Sequence, residues 1–477
     1  MLVLGATALA VIGLTSCDDT NTVTRSSAPV VLTGSQVPTL VGTAPGLVVA
    51  FRHNLVSDAP VWTQIPVQVD QRKIVPFGQK PATNTAVGSV GTVYGSGSGG
   101  PEALQYADAN TWVGADTDPN LDADDEVVFM ASDGGGKARS EDHSQPAGVV
   151  AGSGVVVKVT DPRGTDERGW VYLFQSNGSL DPAAGKDYVD YDFSLTSGAY
   201  KTTYKRADGP NAETSRVTTP TYQMDFTDRW KETSWKVLAA GASGADVLDG
   251  HKNQFITNYC GRSNATFADA EGAFIANIDG PVRAIRSYVG ANSGPYTERT
   301  HLMYRDREDV ITDLRVHSIP AIMDYIDYSA AAVGMTYRSS AVPDGVTIDG
   351  VADPVGKALP SWEAVDGPQG RIFTHNAFTS SVASLAAGTE EFYRDDVAPS
   401  ESQCWGDASY YGASGSWITT EIPNTDPATG PAETVQGTRI TQFAAPASAP
   451  SEVAASAADW AADLDVPLTL AVSPYQP

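Results

Sequence analysis

The chain has 477 residues, enough for two to four domains by length alone, and its 45 Gly and 30 Pro with only 18% charged residues predict turns and strands over long helices. The formal net charge of -26 excludes a nucleic-acid partner, whose phosphates need a basic surface, and excludes adsorption to anionic lipid through the protein surface. The same acidity keeps an exported protein soluble, and where carboxylates cluster it can bind calcium.

An apolar stretch from Leu2 to Leu14 opens the chain and closes on Leu14-Thr15-Ser16-Cys17. It is too short to span a bilayer and has the form of a secretory signal. It resembles the bacterial lipobox, which implies that Cys17 is acylated, becomes the mature amino terminus and anchors the protein at the cell envelope or extracellular surface. No Lys or Arg precedes the run, where a charged segment is expected, and we read this as a start codon placed too far downstream. Residues 18–40 then read as a polar, flexible tether, so the membrane link is expected through the lipid alone. Of the remaining cysteines, Cys260 and Cys404 permit one intramolecular disulfide in an oxidising compartment.

Strand signals follow at Leu47–Phe51, Ile65–Val69, Glu126–Met130, Gly154–Val159, Gly169–Phe174, Val282–Tyr288, Asp313–His317 and Gly437–Phe443, separated by Gly, Pro and Asx turns. No long amphipathic helix competes with them, so the expected fold is all-β, a β-sandwich or supersandwich. Residues 86–100, rich in Gly, Ser and Val, read as a loop or insertion. The expected division is an N-terminal β domain over 41–150, a larger sandwich over 151–447, and an Ala/Pro/Ser-rich segment over 448–477. Within that last segment Glu452–Leu464 predicts a short helix with Ser451 as N-cap.

The run Asp116-Thr117-Asp118-Pro119-Asn120-Leu121-Asp122-Ala123-Asp124-Asp125-Glu126 places oxygen ligands at alternate positions before an apolar strand. It looks like a calcium loop of the EF-hand or thrombospondin type, with Asp116, Asp118, Asn120, Asp122 and Asp124 as ligands of a structural calcium ion. It is not a complete EF-hand, because Leu121 stands where Gly is required and Val127 occupies the twelfth position. The competing reading is a solvated acidic turn.

Residues 251–337 concentrate His, Tyr and Arg, including His251, Arg283, Arg286, Tyr288, Arg299, His301, Tyr304 and His317. Strand alternation puts Arg283 and Arg286 on opposite faces, Arg286 with Tyr288, and His301 opposite to Tyr304, so these groups cannot all line one cleft. Such a set suits a uronic-acid polysaccharide, with Arg283, Arg286 or Arg299 neutralising the carboxylate and His301 or Tyr304 moving the proton, while Trp230, Trp235 and Trp405 offer stacking surfaces. The competing reading makes the arginines salt-bridge partners of the many carboxylates, with His and Tyr packed in the sandwich.

Other chemistries lack their motifs. Gly412-Ala413-Ser414-Gly415-Ser416 fails the G-x-S-x-G nucleophile elbow at its last position, and no H-E-x-x-H, paired-cysteine site or phosphate loop occurs. A glycosidase needs only two carboxylates, and among 57 Asp and Glu the sequence nominates no pair.

Finally, Pro66-Val67-Gln68-Val69-Asp70 (P-x-Q-x-D) and the later D-x-D-x-x-x-D-x-x-D-E-x-x-F ending at Phe129 resemble segments of the galactose-mutarotase-like supersandwich shared by several polysaccharide lyases. The similarity spans about residues 60–130 and implies a carbohydrate-active fold; it transfers no catalytic residue. The expected function is therefore a surface-anchored lipoprotein cleaving an acidic polysaccharide by β-elimination. The alternatives are a non-enzymatic glycan-binding or adhesive lipoprotein and a glycoside hydrolase.

Overall fold

The computed structural model describes residues 20–57, 59–76, 102–139, 144–196, 212–228, 231–254, 272–290, 297–314, 321–381, 388–400, 406–421 and 435–477. Cys17, Cys260, Cys404, Trp230, Trp405, Arg315, His317 and the loop 86–100 lie outside the described residues.

The largest element is a nine-stranded antiparallel sheet. Its strands run, in spatial order, Gly272–Ile278, Arg283–Gly290, Thr297–Tyr304, Arg307–Leu314, Val435–Ala444, Gly370–Ser380, Glu363–Gly367, Thr336–Ser339 and Val346–Thr347. One face packs on two four-stranded sheets. The first comprises Asp190–Asp192, Ser215–Thr218, Tyr222–Asp228 and Lys231–Val237; the second comprises Leu248–Gln254, Ile322–Tyr328, Tyr410–Ile418 and Thr389–Asp396. Aromatic contacts fasten these layers: Tyr222 stacks on Phe443 at 4.4 Å, and Trp235 meets the same ring edge-on at 5.3 Å.

On the opposite face lies a three-stranded sheet of Pro29–Thr33, Glu126–Met130 and Gln68–Asp70. Its central strand is apolar on both sides for a physical reason. Val128 and Met130 enter the core shared with the large sheet, whereas Val127 and Phe129 pack with Leu32, Val157 and Leu173 in a second core. The sheet is thus a middle layer, and a strand buried on both faces reads as a continuous hydrophobic run. Covering its far side is a five-stranded sheet ordered Thr469–Pro474, Val155–Thr160, Arg168–Gln175, Val48–Val56 and Ala59–Ile65.

Among the described residues the architecture is all-β with one C-terminal α-helix, as the alternation predicts. Four local expectations change. Residues 18–40 are not a free tether, because Arg25 pairs with Asp161 and Pro29–Thr33 is a strand paired with Glu126–Met130, with Leu32, Val37 and Leu40 buried. Ile65–Val69 is not one strand: Ala59–Ile65 belongs to the five-stranded sheet and Gln68–Asp70 to the three-stranded one, the chain switching layers at Pro66, which has no N–H to donate. The helix spans Pro450–Asp465 with Ala449 as N-cap, because Pro450 at the first turn starts it before Ser451. The five-stranded sheet joins strands from both sides of residue 150 with the last strand of the chain, so strand pairing crosses the expected boundary.

Candidate functional site

Register in the large sheet decides which groups meet. Arg286 lies opposite His301, Tyr288 opposite Arg299, and Arg283 opposite Tyr304, so Arg286, Tyr288, Arg299 and His301 share the face toward the four-stranded sheets. Arg283 and Tyr304 stand on the other. All five sequence candidates are interior: Arg283, Tyr304 and His301 are each 1% exposed, and Arg286 and Arg299 are 0% exposed.

On the first face each cation meets a specific partner. Arg286 forms a two-pronged pair with the buried carboxylate of Glu213, and its guanidinium lies 4.3 Å from the Phe226 ring centre. Arg299 donates to Thr312 Oγ1 at 3.0 Å and to Asn253 Oδ1. His301 is held between Tyr288 Oη at 2.9 Å and Glu308 Oε1 at 2.8 Å. Burial, reinforced by the Arg299 and Arg286 charges, keeps its imidazole neutral by pushing its pKa well below the usual value. Burial would raise the Asp324 carboxyl, but the Arg439 and His251 beside it outweigh that and hold it well below the usual range.

On the second face Arg283 reaches across to the three-stranded sheet. Its guanidinium donates to Asp70 Oδ2 at 2.7 Å, to Glu126 and to Tyr304 Oη at 3.2 Å, while Gln68 Oε1 accepts from its backbone N–H at 3.0 Å. The motif residues Gln68, Asp70 and Glu126 therefore act together as the receptor for one buried arginine. Burial alone would raise Glu126, yet Arg283 and Arg72 hold its carboxyl below the ordinary value. Tyr106 shields this network, donating to Glu126 Oε2 at 3.0 Å, with Arg283 lying 5.5 Å from its ring centre.

Beyond Tyr106 the same face opens into a polar cleft of about 310 Å³. The hairpin of Arg72–Pro76 and Glu102–Tyr106 walls it with Arg72, Gln105 and Tyr106; the large sheet floors it with Glu298, Thr300, Asp313 and Gln436. Glu298 and Asp313 are directly opposed across neighbouring strands, which brings like charges together. Burial first, then the Asp313 charge, lifts the Glu298 carboxyl to about 7, against hydrogen bonds from Gln105 at 3.0 Å and Ser287 at 3.2 Å. Gln436 donates to Asp313 Oδ1 at 3.1 Å. One carboxyl that is half protonated at neutral pH, beside a second in a cleft, is equipped for general acid–base work.

Neither carboxylate was nominated from the sequence. A usable signal was present, because the two-residue turn Arg305-Asp306 between Tyr304 and Arg307 sets the hairpin register that pairs Glu298 with Asp313.

The acidic loop adjoins the cleft wall, where the Arg72 backbone N–H donates to Asp125 Oδ1 at 2.7 Å and its side chain to the Asp124 carbonyl. Asp116 Oδ1 accepts from the Asp118 N–H, Asp118 Oδ1 from the Asn120 N–H, and Asp122 Oδ1 from the Asp124 N–H, a chain of Asx turns. The carboxylates that converge within 4.8 Å are Asp122, Asp124 and Asp125. A hydrogen bond with Asp122, together with burial, raises Asp124 to about 6, while the same bond lowers Asp122. Among the described residues no helix is long and apolar enough to cross a membrane.

No family model and no curated protein matches the chain. Solved structures with a weak similarity to part of the chain include two. One, described as a candidate aldose 1-epimerase from Escherichia coli K12, is 10% identical with a TM-score of 0.29 and covers 47% of this chain and 96% of that one. The other, the Slr1438 protein of Synechocystis sp. PCC 6803, is 10% identical with a TM-score of 0.28 and covers 47% of this chain and 92% of that one. More than half of the chain is unmatched in either comparison.

Proposed function

We propose that this chain is an exported, lipid-anchored carbohydrate-active enzyme that cleaves a glycosidic bond in the cleft over Glu298 and Asp313. The observation that carries the reading is the opposed carboxyl pair, with Glu298 raised to about 7. Glu298 then protonates the leaving oxygen, and Asp313 serves as base or nucleophile. Gln105, Thr300 and Gln436 offer amide and hydroxyl groups suited to sugar hydroxyls, with the Tyr106 ring beside them.

This geometry favours hydrolysis over β-elimination. The arginines nominated from the sequence are interior and bonded to Glu213, Asp70, Glu126 and Asn253, Arg72 in the cleft wall is paired with Glu126 at 2.8 Å, and the cleft floor presents two carboxyl groups. Incubation with panels of neutral and uronic-acid glycans tests the choice. New reducing ends without ultraviolet-absorbing unsaturation support hydrolysis, unsaturated uronides restore the lyase, and binding with no change in chain length leaves a glycan-binding protein.

The anchor and the calcium ion are separate parts of the same reading. Labelled palmitate should enter the wild-type protein and be absent from Cys17→Ser. A calcium-dependent rise in melting temperature should be lost in Asp122→Asn if the converging Asp122, Asp124 and Asp125 bind the ion.

A further inference from the structure

On the face of the large sheet away from the cleft, Glu232, His301 and Glu308 bring one ligand atom each to within 4.8 Å of one another. All are deeply buried, Glu308 at 0% and Glu232 and His301 at 1% exposure. Glu232 comes from the strand Lys231–Val237, His301 from Thr297–Tyr304 and Glu308 from Arg307–Leu314, so the cluster bridges two sheets.

Two carboxylates without a cation between them are costly in such a place. Glu232 Oε2 and Glu308 Oε2 are both buried and accept no hydrogen bond. Glu232 Oε1 accepts from the Trp235 indole, and Glu308 Oε1 meets His301 Nδ1 at 2.8 Å, so each carboxylate is oriented through one oxygen and leaves the other unsatisfied.

His301 is set in the manner of a metal ligand. His301 Nε2 is held by Tyr288 Oη at 2.9 Å, which leaves Nδ1 turned to the carboxylates. A second imidazole stands alongside: His251 Nε2 meets Asp324 Oδ1 at 2.8 Å, and its Nδ1 lies 3.6 Å from Glu232 Oε2. An oxygen partner on one ring nitrogen with the other directed at the ion is how proteins orient metal-bound histidine. Arg439 and Arg299 pair with Asp324 beside His251, and their charges also reach Glu308 and His301.

We propose that Glu232, His301 and Glu308 form an interior site for a divalent transition-metal ion of the zinc class, with the fourth position left to water. Mixed imidazole and carboxylate donors suit that class, and two carboxylates neutralise the ion. Binding replaces the His301–Glu308 hydrogen bond by two bonds to the metal and clamps the strand whose other side carries Glu298.

The test uses the untagged full chain and does not depend on activity, so its outcome is separate from that of the proposed function. Stripped protein is reloaded with Zn2+ or Co2+, and metal content, visible absorption and melting temperature are measured. The expected result is about one ion per chain, a cobalt band of four-coordinate type and a melting temperature that falls on stripping and returns on reloading. Glu308→Gln and Glu232→Gln, each preserving side-chain volume, should lose the ion and the band, with circular dichroism reporting whether each variant is folded. Substoichiometric zinc in reloaded wild type, or wild-type metal content in either folded variant, overturns the proposal. If neither variant folds, the wild-type stoichiometry and cobalt spectrum alone decide.

Discussion

Glu298 gains its chemical character from two neighbours that act in the same direction, the protein interior and Asp313. Replacing it with Gln removes the transferable proton while keeping the hydrogen bond to Gln105, so kcat should fall by roughly 10²–10⁴ with KM little changed. Asp313→Asn removes the repelling charge, so the Glu298 pKa, read by NMR titration of its carboxyl, should fall. An unchanged titration would remove Asp313 as the cause of the raised value. At the same scale, Arg286 and Glu213 are each fully buried partners. Arg286→Met strands a buried carboxylate and should cost about 3–5 kcal/mol, whereas the double variant Arg286→Met/Glu213→Leu should recover most of it. Denaturant melts of the three proteins test this, and equal losses in the single and double variants would contradict the pairing.

At the scale of the element, strands were legible wherever apolar and polar residues alternate or a run is buried on both sides. Glu126–Met130 is found with its expected ends, and Arg168–Gln175 and Val435–Ala444 extend theirs by one or two residues. The alternation also separated Arg283 from Arg286 correctly, since parity along a strand needs no knowledge of its partners. Layer switching at Pro66 was not legible, because both flanking pieces carry strand composition. The acidic loop is likewise defined by contacts distant in sequence. The Gly34 N–H donates to the Asp125 carbonyl at 2.9 Å, and a Cβ on Gly34 would sit 1.7 Å from the Asp122 carbonyl oxygen. Gly34→Ala should therefore push the loop away and cost about 1–3 kcal/mol, read as a lowered denaturation midpoint. An unchanged midpoint would mean that the loop is not seated there.

Across the whole molecule, burial gives an acidic protein an inverted pH response. Glu363 is raised to about 8 by burial and by Glu391, and burial raises Glu391 and Glu298 to about 7. In the unfolded chain all three return to the ordinary value of 4.5. Above pH 8 they are ionised in both states and the folded state bears the full penalty. As pH falls from about 8 to about 6.5 the folded state takes up protons before the unfolded state does, so stability rises. Below about 6.5 the opposing term enters: burial depresses His375 and His301, which then protonate more readily in the unfolded chain. Melting temperatures should climb between pH 8.5 and 6.5 and flatten below; a fall on acidification through that window would refute the assignment.

What the sequence determined by itself is whatever depends on near neighbours: the β class, most strand positions, the opposed faces of the arginine-rich strands and the acidic character of the chain. What only the tertiary structure decided is which charges meet. Arg283 finds Asp70, 213 residues away, and Glu232 finds His301 through the packing of one sheet on another. Charge and type are local properties of a residue, but burial, pKa and partnership are set by groups brought together only when the sheets stack.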